Sequence, residues 1–272
     1  MVINLDNKGI SSIYQKYNFF YIDLWGVVHN GIKLHKNAIN TLSKFHEMNK
    51  QYVLLTNAPR PNTTVKKFLK NLGMQNKMLK KVYTSGEAAL IFLKKKYKNK
   101  KFFHIGPPRD FDLFLKFKKN YTQNLNEADF ILCTGLFEKY EKNLNYYKKI
   151  LKNYKKKRMI CTNPDLIVDR GKKREYCAGS IAKVFTEIGG KVIYFGKPYP
   201  EVYNQSNIKK YKKILVIGDN LNTDIKGANN LKYDSLLISN GIHKKEINQK
   251  GIKKVIKSYK RKINFIQKEL KW

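Results

Sequence analysis

The stretch FFYIDLWGVVHNG, residues 19–31, places a single carboxylate directly after an unbroken apolar run. Phe19 to Ile22 show no alternation of polar and apolar residues, which is typical of a strand buried on both faces of a parallel sheet. Such a strand delivers Asp23 into a loop that contains Gly26. Because ligands of parallel α/β sheets bind where strands end, this stretch predicts both the fold class and one residue of a functional site.

Along the rest of the chain, continuous apolar runs alternate with segments whose apolar residues recur at the spacing of an α-helix. One stripe extends from Val65 to Leu72 and stops before Gly73. The alternation predicts an α/β fold with a mostly parallel sheet. The basic segment 252–272 is predicted to form a C-terminal helix. Strand-like runs lie at 19–24, 52–56, 102–105, 130–134, 159–162, 192–195, 214–217 and 235–238.

Length and composition exclude several classes of protein. A chain of 272 residues, 42% of them hydrophobic, can form one large domain or two modest ones. No apolar run approaches the ~18 residues that a membrane span needs, and the first residues do not form a secretion signal. Three cysteines without metal-ligand spacing are interpreted as buried thiols. We therefore expect a cytoplasmic protein with no membrane partner.

The charge of the chain is extreme, with 56 Lys and Arg against 20 Asp and Glu, a formal net charge of +36. Such a charge is compatible with nucleic acid or an anionic surface as partner. Nearly all of the cations are lysines, however, and they are scattered along the whole chain. We interpret the charge as compositional, do not expect a nucleic-acid partner, and expect the positive field to attract anionic substrates.

Four loops, each following an apolar run, carry chemically suitable side chains. Converging carboxylates without enough local cations favour a hard divalent ion, and oxygen ligands suit Mg²⁺. A hydroxyl, backbone N–H groups and a lysine can hold a phosphoryl group, and an aspartate beside them can attack phosphorus in line. Each motif alone is a weak signal, and only the four together predict a phosphoryl-transfer site. In chain order the loops hold Asp23; Thr56 and Asn57; Lys197; and Asp219, Asn220 and Asp224.

In this order the loops resemble the motifs of the haloacid dehalogenase (HAD) superfamily, class IIA, the NagD-like group. The resemblance implies that Asp23 is the nucleophile and that Lys197 bridges it and the transferring phosphoryl group. It also implies that Thr56 is the phosphate-binding hydroxyl, with Asn57 beside it in the same loop. Asn220 in the fourth loop is a further candidate for contact with the substrate.

The same resemblance implies the metal site. Asp219 would bind Mg²⁺ together with Asp23, and Asp224 would support the metal or its water. In the family the backbone carbonyl two residues after the nucleophile is a further ligand. Here that carbonyl belongs to Trp25, and the role needs no particular side chain.

About 140 residues separate the second loop from the third, a gap that in this class holds a large cap. We expect a Rossmann-like core formed by residues 1–86 and 192–272, with an inserted α/β cap of the C2 type at 87–191. The N-P-D and C-A-G stretches of the cap resemble a subgroup with D-x-W-G-V in the first motif and a terminal Trp. Asp165 and Arg170 are candidates for substrate contact. Arg170 is favoured, because a guanidinium group can bind an anionic group through two parallel hydrogen bonds.

One departure from the family concerns the proton donor. Most phosphatases of the superfamily carry a second aspartate at the position of Trp25, where it protonates the leaving oxygen, and such help is worth roughly 10²–10⁴-fold in rate. The enzyme could act only on good leaving groups such as acyl phosphates. Alternatively His29 could stand in, because imidazole titrates near neutral pH. In a third interpretation the chain binds metal and phosphate without fast turnover.

These observations predict a Mg²⁺-dependent phosphatase that acts on a small phosphorylated metabolite through an aspartyl-phosphate. The alternatives are a weakly active or non-hydrolytic metal- and phosphate-binding protein, and a basic nucleic-acid-binding protein on the same scaffold. A homodimer is compatible with the sequence, which does not specify an assembly.

Overall fold

The computed structural model describes residues 2–171, 173–206 and 211–272. Within them the strands form a seven-stranded sheet, a four-stranded sheet and a two-stranded hairpin. The strands are β1 (Ile3–Asn4), β2 (Phe19–Ile22), β3 (Gln51–Thr56), β4 (Val82–Thr84), β5 (Phe102–Ile105), β6 (Phe130–Cys133), β7 (Arg158–Cys161), β8 (Ile167–Arg170), β9 (Lys173–Tyr176), β10 (Lys191–Tyr194), β11 (Ile214–Gly218), β12 (Asp234–Ile238) and β13 (Phe265–Gln267).

Helices connect most of these strands, as the alternation in the sequence predicts. Short 3₁₀ segments lie between them, the longest at Pro108–Asn120. The α-helices are α1 (Lys36–Glu47), α2 (Asn62–Asn71), α3 (Asn76–Leu79), α4 (Ser85–Lys96), α5 (Leu144–Leu151), α6 (Ala178–Glu187), α7 (Pro200–Ser206), α8 (Asp224–Asn230), α9 (Lys244–Lys250) and α10 (Ile252–Ser258). No described helix is both long enough and apolar enough to cross a membrane.

The larger sheet is parallel throughout, in the order β1-β13-β12-β11-β2-β3-β4. Strands β11, β2 and β3 are neighbours in this sheet, although β11 is far from the other two in sequence. They end at the loops that begin with Asp219, Asp23 and Asn57, so these three loops leave the same edge of the sheet. The prediction of an α/β fold with a mostly parallel sheet is confirmed.

The smaller sheet is also parallel, in the order β10-β7-β6-β5. The sequence-based boundary assigned residues from 192 onward to the core. Strand β10 instead pairs with β7, from Lys191 opposite Arg158 to Tyr194 opposite Cys161. Because backbone pairing fixes the sheet to which a strand belongs, Lys191–Tyr194 are part of the smaller sheet. The division into a core and an inserted cap stays a prediction.

The C-terminal segment 252–272 is not one helix, so that prediction was wrong. Helix α10 ends at Ser258, and β13 then pairs in parallel with both β12 and β1. Ile263, Phe265 and Gln267 are buried at alternate positions. This period of two is that of a strand, and it outweighs the helical spacing of the earlier apolar residues.

The two faces of strand β2 bury different side chains. Phe20 and Ile22 pack into a cluster on one face of the larger sheet. Phe19 and Tyr21 pack into a cluster on the other face that also contains Phe130 of the smaller sheet. Each such burial contributes roughly 1.5–3 kcal/mol. The shared cluster joins the two sheets and so fixes the loops of the smaller sheet relative to Asp23.

Candidate active site

Two adjacent parallel strands deliver the acidic residues of the site. Asp23 follows β2 and Asp219 follows β11, and the N–H of Asp23 donates a hydrogen bond to the carbonyl of Ile217 at 2.9 Å. Asp23, Asp219 and Asp224 are buried, and each offers a carboxylate oxygen within 4.8 Å of the others. The structure thus brings together the three carboxylates that the sequence placed in the first and fourth loops.

Lys197 lies within this cluster and is only 3% exposed. Its Nζ donates to Oδ1 of Asp23, and to Oδ1 of Asp224 at 2.7 Å. Burial alone would lower the pKa of Lys197, but the carboxylates of Asp224 and Asp23 outweigh burial and raise it. Lys197 therefore remains a cation directly beside the predicted nucleophile.

The carboxylates of the cluster outnumber their cation. Burial raises the pKa of Asp23 to about 8; Lys197 opposes this rise and Asp224 adds to it. Burial and the charges of Asp23 and Asp224 also raise the pKa of Asp219 well above its ordinary value. Buried carboxylates are costly unless a cation compensates them. Three oxygen donors with excess negative charge fit a hard divalent cation such as Mg²⁺.

Two glycines, Gly26 and Gly241, bring the backbone so close to the carboxylate of Asp219 that no side chain would fit at either position. A Cβ on Gly26 would lie 2.1 Å from Oδ2 of Asp219, and a Cβ on Gly241 would lie 2.0 Å from it. The N–H of Ile242 donates to the same oxygen at 2.8 Å. Sequence reasoning missed Gly241 and Ile242. The available signal was a glycine shortly after strand β12, at the edge of the sheet where the other loops meet.

The second and third loops are joined by the side chain of Asn57. Its Oδ1 accepts from the N–H of Lys197 at 2.7 Å, and its Nδ2 donates to the carbonyl of Lys197 at 3.0 Å. Asn57 therefore positions the lysine loop, a role that its place beside Thr56 did not indicate. Thr56 is buried, and its Oγ1 accepts from the N–H of Ala58 at 3.2 Å. The hydroxyl proton of Thr56 can still be donated to another acceptor.

Asp165 reaches the site from the smaller sheet. Its Oδ1 accepts from Nδ2 of Asn57 at 3.1 Å. Asn220, by contrast, closes a turn: its Oδ1 accepts from the N–H of Asn222 at 2.9 Å. Contact of Asp165 and Asn220 with a substrate stays a prediction. Of the two side chains, that of Asp165 contacts Asn57, which in turn positions Lys197.

Trp25 connects the first loop to the hairpin formed by β8 and β9. Its indole Nε1 donates to the carbonyl of Asp169 at 2.7 Å, and the guanidinium carbon of Arg170 lies 5.1 Å from the centre of a Trp25 ring. Arg170 also pairs with Glu175 at 3.6 Å. Arg170 is therefore stacked on Trp25, and its anion-binding role stays a prediction.

His29 is 2% exposed and packs edge-on against Trp25 and Phe68. Its Nδ1 accepts from the N–H of Gly31 at 2.9 Å. Burial lowers the pKa of His29 to about 4, and the charges of His35 and Arg170 act in the same direction. These contacts give the imidazole a neutral packing role and do not bring it to Asp23, so the geometry does not favour His29 as the proton donor.

Two family models match the sequence, one for haloacid dehalogenase-like hydrolases over residues 20–117 and a HAD-hydrolase-like one over residues 194–261. The curated proteins include no match. Among solved structures, a possible sugar phosphatase of the HAD superfamily from Cytophaga hutchinsonii is 20% identical, with a TM-score of 0.80 and 97% of each chain covered. A 4-nitrophenylphosphatase from Thermotoga maritima is 24% identical, with a TM-score of 0.71 and coverage of 94% of this chain and 95% of that one.

A hydrolase of the haloacid dehalogenase-like family from Brucella suis also has a similar structure. The two chains are 30% identical, with a TM-score of 0.78, and the similarity covers 86% of this chain and 90% of the other. At this identity and coverage, together with the cluster of Asp23, Lys197, Asp219 and Asp224, the chain belongs to the haloacid dehalogenase-like hydrolase family.

Proposed function

We propose that the protein is a Mg²⁺-dependent phosphatase that hydrolyses a small phosphorylated metabolite through an aspartyl-phosphate on Asp23. The observation that carries the proposal is the buried Lys197, which contacts both Asp23 and Asp224 inside a cluster of three carboxylates. A protein that only bound metal would not need a lysine beside one of its carboxylates. Phosphatases among the proteins of similar fold agree with this function.

In the first half-reaction an oxygen of Asp23 attacks phosphorus in line. The bond from phosphorus to the leaving oxygen breaks, and its electron pair stays on that oxygen. Lys197 donates hydrogen bonds to a phosphoryl oxygen and offsets its charge, and the hydroxyl of Thr56 donates to another. Asn57 keeps the lysine loop in place through its two bonds to Lys197.

We propose Asp23, Asp219, Asp224 and the carbonyl of Trp25 as the residues that hold Mg²⁺. When bound, the ion would neutralise the negative charge that develops at the phosphoryl group. In the second half-reaction water attacks the phosphorus of the aspartyl-phosphate, inorganic phosphate leaves, and the carboxylate of Asp23 is restored.

We further assign the chain to class IIA and to the subgroup with D-x-W-G-V in its first motif, with the inserted segment as a C2-type cap. The docking of Trp25 on Asp169 supports this assignment, because it gives the tryptophan of that motif a defined contact in the segment. Such a cap excludes bulk water during transfer and selects the leaving groups that fit. Restriction to good leaving groups stays a prediction.

The proposal is tested by phosphate release from a panel of p-nitrophenyl phosphate, sugar phosphates and acyl phosphates, with and without Mg²⁺. We expect release that requires Mg²⁺ and that disappears in Asp23→Asn. The matched control is Asp129→Asn, the same change at an exposed carboxylate that accepts from the N–H of Lys101 at 2.7 Å, at the amino end of β6. Absence of release from the whole panel, or equal release by Asp23→Asn, would overturn the proposal.

A further inference from the structure

We propose that Asp165 exchanges the proton with the leaving group, in place of the missing acid at position 25. This role rests on the proposed phosphatase function. It goes beyond substrate contact, which is all that the sequence suggested for Asp165. It also replaces His29 as the candidate donor.

The first support is the position of Asp165 relative to the nucleophile. Asp165 lies four residues beyond β7 of the smaller sheet, whereas Asp23 leaves the larger sheet. One amide joins the two sides of the site: Nδ2 of Asn57 donates to Oδ1 of Asp165 at 3.1 Å and to the carbonyl of Lys197 at 3.0 Å. The ammonium group of Lys197 in turn contacts Asp23.

The second support is the direction of the reaction. In an in-line displacement the leaving oxygen departs on the side opposite to the attacking oxygen. Since Asp23 attacks from the larger sheet, the leaving oxygen faces the loops of the smaller sheet. Asp165 is a carboxyl group on such a loop, and the side chain of Asn57 holds it in place.

The side chains nearest to the usual donor position are already engaged. The indole N–H of Trp25 donates to the carbonyl of Asp169 at 2.7 Å, and the only proton of an indole that forms hydrogen bonds is thereby used. Nδ1 of His29 accepts from the N–H of Gly31 at 2.9 Å. The indole therefore has no further proton to give, and the imidazole of His29, whose pKa burial lowers to about 4, stays neutral and cannot act as an acid at neutral pH.

The electrostatic surroundings of Asp165 suit such exchange. Burial raises its pKa to about 6; Lys197 opposes the rise, Asp224 adds to it, and the hydrogen bonds from Asn57 and Thr223 oppose it. A carboxyl group with a pKa near neutrality is present in both forms at working pH. The same group can therefore act first as acid and then as base.

As Asp23 attacks phosphorus, the bond to the leaving oxygen breaks, and that oxygen takes the proton of the Asp165 carboxyl group. The leaving group departs as an alcohol, and Asp165 becomes a carboxylate. Asp165 then accepts a proton from the water that attacks the aspartyl-phosphate. The bond between phosphorus and Asp23 breaks, inorganic phosphate leaves with the oxygen of that water, and Asp23 is again a carboxylate while Asp165 is protonated again.

The test compares kcat/KM of Asp165→Asn with the parent on an alkyl phosphate monoester and on p-nitrophenyl phosphate. The alkoxide leaving group needs a proton and nitrophenolate does not, so we expect a loss of roughly 10²–10⁴-fold on the alkyl ester only. kcat/KM reports the first half-reaction, so slow hydrolysis of the aspartyl-phosphate does not obscure the difference. Asp129→Asn is expected to match the parent on both substrates.

Equal losses of Asp165→Asn on both substrates would overturn the inference, because a group that only shapes the site affects every substrate. No loss on either substrate would also overturn it, as would a parent enzyme that hydrolyses p-nitrophenyl phosphate but not the alkyl ester. A parent inactive on both would instead remove the phosphatase function itself. Retained activity on p-nitrophenyl phosphate shows that the variant is folded, and Asp165→Glu, which keeps the carboxyl group, should recover part of the loss.

Discussion

Replacing Trp25 by Phe should loosen the β8–β9 hairpin without disturbing the larger sheet. The change keeps an aromatic ring beneath Arg170 but removes the indole N–H that donates to the carbonyl of Asp169 at 2.7 Å. A hydrogen bond of this kind contributes about 0.5–1.5 kcal/mol net. At 1.4 kcal/mol per factor of ten, the ratio of undocked to docked hairpin should rise roughly twofold to tenfold.

Hydrogen exchange followed by mass spectrometry measures this ratio directly. Peptides that contain Ile167–Arg170 and Lys173–Tyr176 should exchange roughly twofold to tenfold faster in Trp25→Phe, while a peptide that contains Ile214–Gly218 should be unchanged. Trp25→Ala also removes the cation–π contact with Arg170, and this should add about 0.5–1 kcal/mol to the effect. Unchanged exchange of the hairpin in Trp25→Phe, or equally faster exchange in all peptides, would refute the idea that the indole docks the hairpin.

Three further predictions concern the metal site and the buried core. Mg²⁺ at about 100 times its Kd should stabilise the protein by about 2.7 kcal/mol in a thermal melt, and Asp219→Asn should show no such shift; an equal shift in the variant would contradict the proposed ligand. Gly26→Ala should weaken Mg²⁺ binding measured by titration calorimetry, because its φ of +83° is strained for alanine and its Cβ would lie 2.1 Å from Oδ2 of Asp219; unchanged affinity would contradict this. Burial lowers the pKa of His104 to about 3, so the unfolded chain takes up the proton first as the pH falls. The contribution of His104 to the free energy of unfolding is therefore fully present above pH 6.5 and falls below that pH by up to about 1.4 kcal/mol per pH unit. Urea titrations at several pH values should show a smaller fall in the free energy of unfolding for His104→Gln.

Patterns within short segments were sufficient to predict most of the fold. All eight strand-like runs form strands of the two parallel sheets, and most of them bury their apolar residues on both faces. The hairpin of Ile167–Arg170 and Lys173–Tyr176 was missed because its residues are mostly polar and half-exposed. Its pairing and the contact of Asp169 with Trp25 depend on long-range geometry, which has no signature in local sequence.

The candidate site likewise contains some contacts that local sequence predicts and others that it does not. The meeting of Asp23 with Asp219 was predictable, because neighbouring parallel strands end at one edge of a sheet. The bridge from Asn57 to Asp165 joins residues 108 positions apart. The approach of Gly241 to Asp219 depends on a third strand. The first contact follows from the packing of the smaller sheet on the larger one, and the second from the pairing of β12 with β11 within the larger sheet.

The position of Lys197 between the two sheets implies that the docking of the smaller sheet on the larger one is coupled to catalysis. Lys197 lies three residues after β10 of the smaller sheet and three residues before helix α7. That helix is fixed to the larger sheet, because Oη of Tyr21 on β2 donates to the carbonyl of Tyr203 at 2.7 Å. A movement of the smaller sheet away from the larger one would therefore pull on the lysine loop and separate Asp165 from Asn57 at the same time. Under the proposed mechanism, such a movement would withdraw both Lys197 and the proposed proton donor Asp165 from Asp23.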